Sequence, residues 1–258
     1  MSQVSTPAII LSTLKYGESS KIVRLATRDH GVQSAIAKGA MRPKSRFGAA
    51  LQVLSAGQAQ LILSERRDLH ILTAFDFPAV PVEITREVGR YATATVLAEI
   101  TLHFAPAEPH PESFEVLKEG LRRLAVVPTS DLPAIAVQEV WQLVATLGFA
   151  PALDDCVRCG RAIPAEGPLA FSAPDGGALC GACAGGTEHT VLPPDARAAL
   201  ALLLSPGETL PTLDWKNAAA HRRLAARYIR YHLGEGAKLP ALEFWLTQAW
   251  GPAPAAEP

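Results

Sequence analysis

Apolar and polar positions alternate along the first third of the chain and then switch to helical spacing. Ala8 to Tyr16 is an apolar, β-rich stretch closed by the turn cluster Gly17-Glu18-Ser19-Ser20. Ile22, Val23 and Leu25 mark a second strand that runs to Asp29-His30-Gly31, and Val32 and Ile36 mark a third. Leu51 to Leu63 reads as a fourth strand weakened by Gly57, and Leu69 to Phe77 as a fifth before Pro78 and Pro81. Five short strands with no helix between them predict a small closed barrel of the OB type. In that fold the strand 2 to 3 face and the loops bind oligonucleotides.

Beyond Pro81 the period lengthens. Ile84, Val88, Tyr91 and Thr95, continued by Leu97, Ile100 and Leu102, predict one helix up to the Pro-rich break at Ala105 to Pro111. Phe114, Leu117, Leu121 and Leu124 predict a second. A third has Asp131 as N-cap, Pro133 in its first turn, Val137, Trp141 and Val144 on one face, and Gly148 at its end. After a segment rich in Gly and Pro, helices return at Asp195 to Leu204, His221 to Leu233 and Pro240 to Trp250. The fold class is therefore α+β and multidomain. Residues 1–80 form the barrel, 81–150 and 191–250 a helical domain, 151–190 an inserted module, and 251–258 a frayed tail.

Composition narrows the class. The 258 residues are 48% hydrophobic and 19% charged, which fits a globular chain and excludes a disordered one. The longest unbroken apolar run, Ala198 to Leu204, is far short of the roughly 18 residues needed to span a bilayer. The start, Met-Ser-Gln-Val-Ser-Thr-Pro, has no secretion-signal pattern, so a cytoplasmic protein without a membrane partner is expected.

Charge changes the picture more. The net charge of −1 divides into ten Lys/Arg against five acids in residues 1–80 and 14 against 20 in the remainder. The basic share concentrates where the third strand runs out: Lys38, Arg42, Lys44 and Arg46 follow one another with no acid among them. Such a cluster repels itself unless water or a polyanion screens it. Phosphate is the natural partner, with Arg24, Arg66 and Arg67 as further contacts and Phe47 as a base-stacking platform; a solvated surface and a core phenylalanine are the plainer alternatives. With so few aromatics, phosphate contacts dominate, predicting sequence-tolerant and strongly salt-dependent binding. A second basic stripe, Arg223, Arg227 and Arg230, lies on one face of the His221 to Leu233 helix. It either extends the nucleic-acid track or pairs with acids of the helical domain.

All four cysteines fall in two pairs, Cys156-Val-Arg-Cys159 and Cys180-Gly-Ala-Cys183. Two Cys-x-x-Cys loops at this spacing are the pattern of a four-thiolate structural zinc site, with Gly160 and Gly181 supplying backbone freedom. Disulfides do not suit a cytoplasmic chain, and a redox dithiol leaves the second pair unused. Four thiolates leave no open position for a catalytic water. His110-Pro-Glu112 superficially echoes a zinc deaminase, but Asp155, not proline, precedes Cys156. With no phosphate-binding or nucleophile motif, a protein that is not an enzyme is expected.

The order of parts, with Tyr16-Gly-Glu-Ser-Ser20, Ala37-Lys-Gly-Ala-Met-Arg-Pro-Lys-Ser-Arg46, and Leu147-Gly-Phe-Ala-Pro151 leading to Cys156-x-x-Cys-Gly160, resembles the RecO family of bacterial DNA repair and recombination proteins over nearly the whole chain. Met41 stands where that family often has a basic residue, which thins the cluster. The resemblance implies a recombination mediator. Such a protein binds single- and double-stranded DNA, anneals complementary strands, and works with RecR to load RecA onto DNA coated by single-stranded-DNA-binding protein (SSB). It implies the DNA role for Lys38, Arg42, Lys44 and Arg46, and a contact of the helical part with the SSB C-terminal tail. Some members of the family lack the cysteines, so zinc stands outside the shared activity. Two other readings follow from the residues: a zinc-stapled adaptor whose basic loop docks an acidic protein, and an RNA-binding OB protein.

Overall fold

A computed structural model describes residues 2–48, 50–64, 68–76, 82–205, 207, 209–233 and 236–247. Contacts divide the chain into two compact units, residues 1–87 with 94–125 and residues 88–93 with 126–258.

In the first unit, β1 (Ser2–Tyr16), β2 (Ser20–Thr27), β3 (Gly31–Ala37), β4 (Ala56–Leu63) and β5 (Leu69–Asp76) close a barrel in the order β1-β2-β3-β5-β4. Its neighbours are antiparallel except β3 and β5, which run parallel. β1 is longer than the apolar pattern predicts: its second half pairs with β2 and its first half with β4, Ser2 opposite Leu63. The fourth strand starts at Ala56, not Leu51. Leu51 and Leu54 are buried in turns ahead of it, with Leu54 at φ 71° and its N–H donating to Ile10 O at 2.8 Å.

Inward positions alternate as a barrel wall requires. Ala8, Ile10, Val23, Leu25, Ala35, Ala37, Ala59, Leu61, Leu72 and Phe75 fill the interior, and Phe47, Ala50 and Leu51 join them from the β3–β4 connection. Three helices belong to this unit in whole or in large part, the short α1 (Val82–Arg86), α2 (Val88–Phe104) and α3 (Pro111–Val126). The α2–α3 connection lies against the β2–β3 hairpin, where Val32 N–H donates to Pro106 O at 3.3 Å.

Gly31 makes that approach possible. Its φ is +68°, and a Cβ there would lie 2.3 Å from Glu108 O and 2.4 Å from Ala107 O, both backbone atoms. Gly31→Ala is expected to cost about 2–4 kcal/mol, combining left-handed strain with a clash that no side-chain rotation relieves. Gly17→Ala, at φ +60° with nothing within 4 Å, carries the strain alone and about 1 kcal/mol. Denaturant melts of the two variants check the difference; equal losses would show that the contact at Gly31 contributes nothing.

The second unit is built on α4 (Leu132–Val144), whose residues are all buried except Gln142. By length and composition Leu132–Phe149 could cross a membrane, but two thirds of it is buried within the protein, as for a core helix. Asp131 stands at the N-cap as expected, without a side-chain bond to the helix. A π-turn (Ala145–Phe149) with Gly148 at φ 91° ends the helix. On α4 pack α6 (Pro194–Leu204) and α7 (Trp215–His232), and α8 (Pro240–Leu246) packs on α7. α7 begins two turns earlier than its apolar stripe predicts, because the Asp214 carboxylate accepts from Asn217 N–H and caps it. The segment between them is more ordered than its composition suggests. It forms a three-stranded sheet, β7 (Gly177–Leu179), β6 (Leu169–Ser172) and β8 (Thr190–Leu192), and the one-turn helix α5 (Gly181–Ala184).

Candidate nucleic-acid interface and metal centre

Residues 38–48 leave β3 in a run of tight turns. Ala40 N–H donates to Ala37 O, Arg42 N–H to Gly39 O, Ser45 N–H to Arg42 O and Gly48 N–H to Ser45 O. Both ends of the run are tied. Met41 N–H reaches Ser19 O in the β1–β2 turn at 2.9 Å, and Phe47, only 3% exposed, is sunk into the barrel. Phe47 is therefore an anchor. Its expected role as a stacking platform is corrected, because a ring already buried among Val23, Leu61 and their neighbours is not free to meet a base.

With the loop pinned from below, its charges face outward. Lys38, Arg42, Lys44 and Arg46 are all exposed, and among the described residues none of them has a carboxylate partner; the Arg46 guanidinium sits 5.2 Å over the Phe47 ring. Arg24 is half-buried on β2, its Nε buried with no hydrogen-bond partner among the described residues. Arg66 and Arg67 lie outside the described residues.

The stripe on α7 resolves differently. Arg227 pairs with Glu188, which also accepts from Tyr231 Oη at 3.2 Å, and Arg230 Nη2 donates to Glu243 on α8 at 2.5 Å. Two of its three arginines therefore serve the second unit's own ion pairs, the pairing alternative of the two readings for this stripe. Arg223 remains exposed beside a groove of about 420 Å³.

Each Cys-x-x-Cys forms a tight knuckle. Gly160 N–H donates to Cys156 O at 2.8 Å with Gly160 at φ 69°, and Cys183 N–H donates to Cys180 O at 3.0 Å. Gly181 needs no special φ: it opens α5, so the freedom expected of it is not used. Val157 N–H to Ala178 O at 3.0 Å binds the first knuckle to β7, whose end delivers Cys180. Arg158 ties the rest. Its Nε donates to Asp175 Oδ1 in the β6–β7 turn at 2.9 Å and its Nη1 to Thr187 Oγ1 beyond the second knuckle at 2.8 Å. Hydrogen bonds from Ser172 and Arg158 lower the Asp175 carboxyl below its ordinary range.

The result is four sulfurs within 4.8 Å of one another, with Cys159 and Cys180 Sγ 3.7 Å apart. Four sulfurs bonded at about 2.3 Å to one tetrahedral ion stand about 3.8 Å from each other, so the set fits a metal. Electrostatics agrees. The Cys180 backbone N–H facing its sulfur lowers the Cys156 thiol to about 6, whereas the neighbouring Cys180 and Cys159 sulfurs push Cys183 up to about 12. A dication among the four sulfurs would favour their thiolate forms. His110 is not part of it and instead accepts from Ser113 N–H at 3.2 Å.

The sheet beside the cysteines leans on α7. Phe171 lies 6.1 Å from the Tyr228 ring, and His232 Nε2 is 2.6 Å from Ala173 O. Tyr228 in turn meets Trp141 of α4 edge-on at 5.2 Å.

Comparison with known proteins matches two family descriptions, recombination protein O N terminal over residues 1–77 and recombination protein O C terminal over residues 86–241. The chain belongs to the RecO family. It is 33% identical over 243 residues to the DNA repair protein RecO of Anaeromyxobacter sp. strain K, covering 91% of this chain and 93% of that one. It is 30% identical over 246 residues to that of Cutibacterium acnes, covering 92% and 97%. With the protein of Anaeromyxobacter dehalogenans strain 2CP-C it shares 35% over 207 residues, 79% of each chain. The RecO N-terminal match takes in the barrel and its basic loop; the RecO C-terminal match takes in α2, both knuckles and α7.

Proposed function

We propose that this chain is a recombination mediator in DNA repair that acts by binding, not by catalysis. Its family, and the name its relatives carry, support a role in repair and recombination. The observation that carries the DNA-binding part is the loop of four exposed cations, pinned by Phe47 and without carboxylate partners among the described residues. Single- and double-stranded DNA meet this loop through phosphate, which all sequences share, and complementary strands held there side by side anneal. In this reading the chain works in the cytoplasm on the nucleoid. It acts with RecR to load RecA onto DNA coated by single-stranded-DNA-binding protein, whose acidic tail it contacts. Zinc is the ion we assign to Cys156, Cys159, Cys180 and Cys183, in a structural role.

The deciding experiment titrates the purified protein with mixed-sequence single strands over a salt series and follows annealing of the complementary pair. Binding of every sequence with a steep negative salt slope is expected. Weak, slope-free binding beside tight, saturable uptake of an acidic protein would favour a zinc-stapled adaptor instead.

A further inference from the structure

The four sulfurs are not equally sheltered. Cys156 is 2% exposed, Cys180 is 8% exposed and Cys183 is half-buried. Cys159 alone among them is exposed, in the run Arg158 to Ala162, every residue of which is exposed too. Beside it Gly160 leaves the approach open, since a Cβ built there would meet nothing within 4 Å. A small solute therefore meets Cys159 first. Next to that sulfur stands a second one from the other knuckle, Cys180 Sγ at 3.7 Å.

A metal-ligating cysteine is held as thiolate, the nucleophilic form of the residue. An exposed thiolate with another sulfur within reach is the arrangement in which oxidation stays reversible, because a disulfide traps the first oxidation product before it goes further. The neighbourhood carries the effect outward. Cys180 follows β7, which pairs with β6, and Phe171 of β6 packs on Tyr228 of α7.

We propose that Cys159 is a peroxide-oxidation site, and that a reversible disulfide between Cys159 and Cys180 opens the cysteine module. This rests on the metal reading above and makes that site responsive to oxidant. The Cys159 thiolate attacks one oxygen of the peroxide; the O–O bond breaks, the sulfur becomes a sulfenic acid and hydroxide leaves. The Cys180 thiolate then attacks the Cys159 sulfur, the S–O bond breaks and a second hydroxide leaves. Two electrons have passed from the two sulfurs to the peroxide, and two protons from solvent turn both hydroxides into water. The disulfide takes one sulfur from each knuckle. Cys156 and Cys183 are left as two ligands where four close the shell, so the ion is released and the module loosens from α7. A thiol reductant restores both sulfurs.

The test uses the full chain loaded with zinc. Elemental analysis counts the ion, hydrogen peroxide is added, a colorimetric chelator reads the ion released, and non-reducing peptide mapping locates the disulfide. One ion is expected to leave for each disulfide between Cys159 and Cys180, and a thiol reductant with added zinc should reload the site. Cys159→His keeps a complete ligand set, because three thiolates and one imidazole also hold zinc, and it removes the exposed sulfur. Its ion release under peroxide is expected to be slower on the order of tenfold. An ion that stays in place while peroxide consumes a free thiol in the same tube would overturn the proposal. So would disulfides formed only between Cys156 and Cys159 or between Cys180 and Cys183, or a histidine variant that loses its ion as fast as wild type. If the histidine variant takes up no zinc, the wild-type disulfide map alone decides. A wild-type chain that binds no ion before peroxide is added would sink the metal reading itself, and the release with it.

Discussion

Changing Lys38, Arg42, Lys44 and Arg46 together to alanine is expected to lower affinity for a single-stranded oligonucleotide on the order of a hundredfold at physiological salt. Four phosphates released from contact remove about 0.7 each from the slope of log affinity against log salt, nearly three in all. At about 0.15 M salt that slope corresponds to roughly two powers of ten. Affinity and slope should fall together, because both report the same displaced counterions. Folding should not suffer: the four side chains are exposed, and among the described residues they have no carboxylate to leave unpaired. Phe47, which holds the loop down, is left in place. A variant that binds as tightly as wild type would move the DNA track off the barrel loop, and Arg223 would be the cation to examine next.

Removal of the metal, by chelator or by Cys180→Ser, is expected to unfold the cysteine module. The cluster's apolar support is small, with Cys156, Leu179 and Cys180 buried against Val157, Ile163, Ala170 and Ala184. A structural ion of this type contributes about 10–16 kcal/mol of apparent binding energy at neutral pH, more than such a patch replaces. Amide protection of β6, β7 and β8 should disappear first. The loss should spread into α7, because Phe171, Ala173 and Glu188 contact Tyr228, His232 and Arg227. Acid should act in the same direction as chelation, since protons compete with the ion for thiolates as pH falls. One ion per chain by elemental analysis, and hydrogen exchange with and without it, make the check. Unchanged protection in ion-free protein would show that the sheet holds itself. Binding through the barrel loop should survive metal loss, which separates the two experiments.

The barrel was legible because alternation and turn residues are local signals, and each of the five strands overlaps the stretch where those signals place it. The errors have local causes too. Leu51 is as apolar as a strand residue, yet it plugs the barrel from the connection ahead of β4, and sequence does not distinguish a plug from a wall. Ser2 to Pro7 alternates too weakly to announce a strand; its order comes from pairing with β4, some sixty residues away. The clustering of the four cysteines was plain because Cys-x-x-Cys spacing is nearly the geometry itself. Partners of Arg227 and Arg230 were not, since Glu188 and Glu243 are remote from them in the sequence or on another helix. Phe47 sat beside four cations in sequence, and only the path of the loop shows that its ring turns the other way.

The double duty of β1 bears on how the chain is made. Its second half, from Ala8 on, meets β2 at once through a short turn, but Ser2 to Pro7 has no strand partner until Gln58 to Leu63 has been synthesised. At ribosomal rates of about 5–20 residues per second, Ser2 to Pro7 waits unpaired for a few seconds. During that interval the nascent chain is a target for chaperones and for its own neighbours on the polysome. The vulnerable moment in the life of this protein therefore comes before its basic loop has a barrel to stand on.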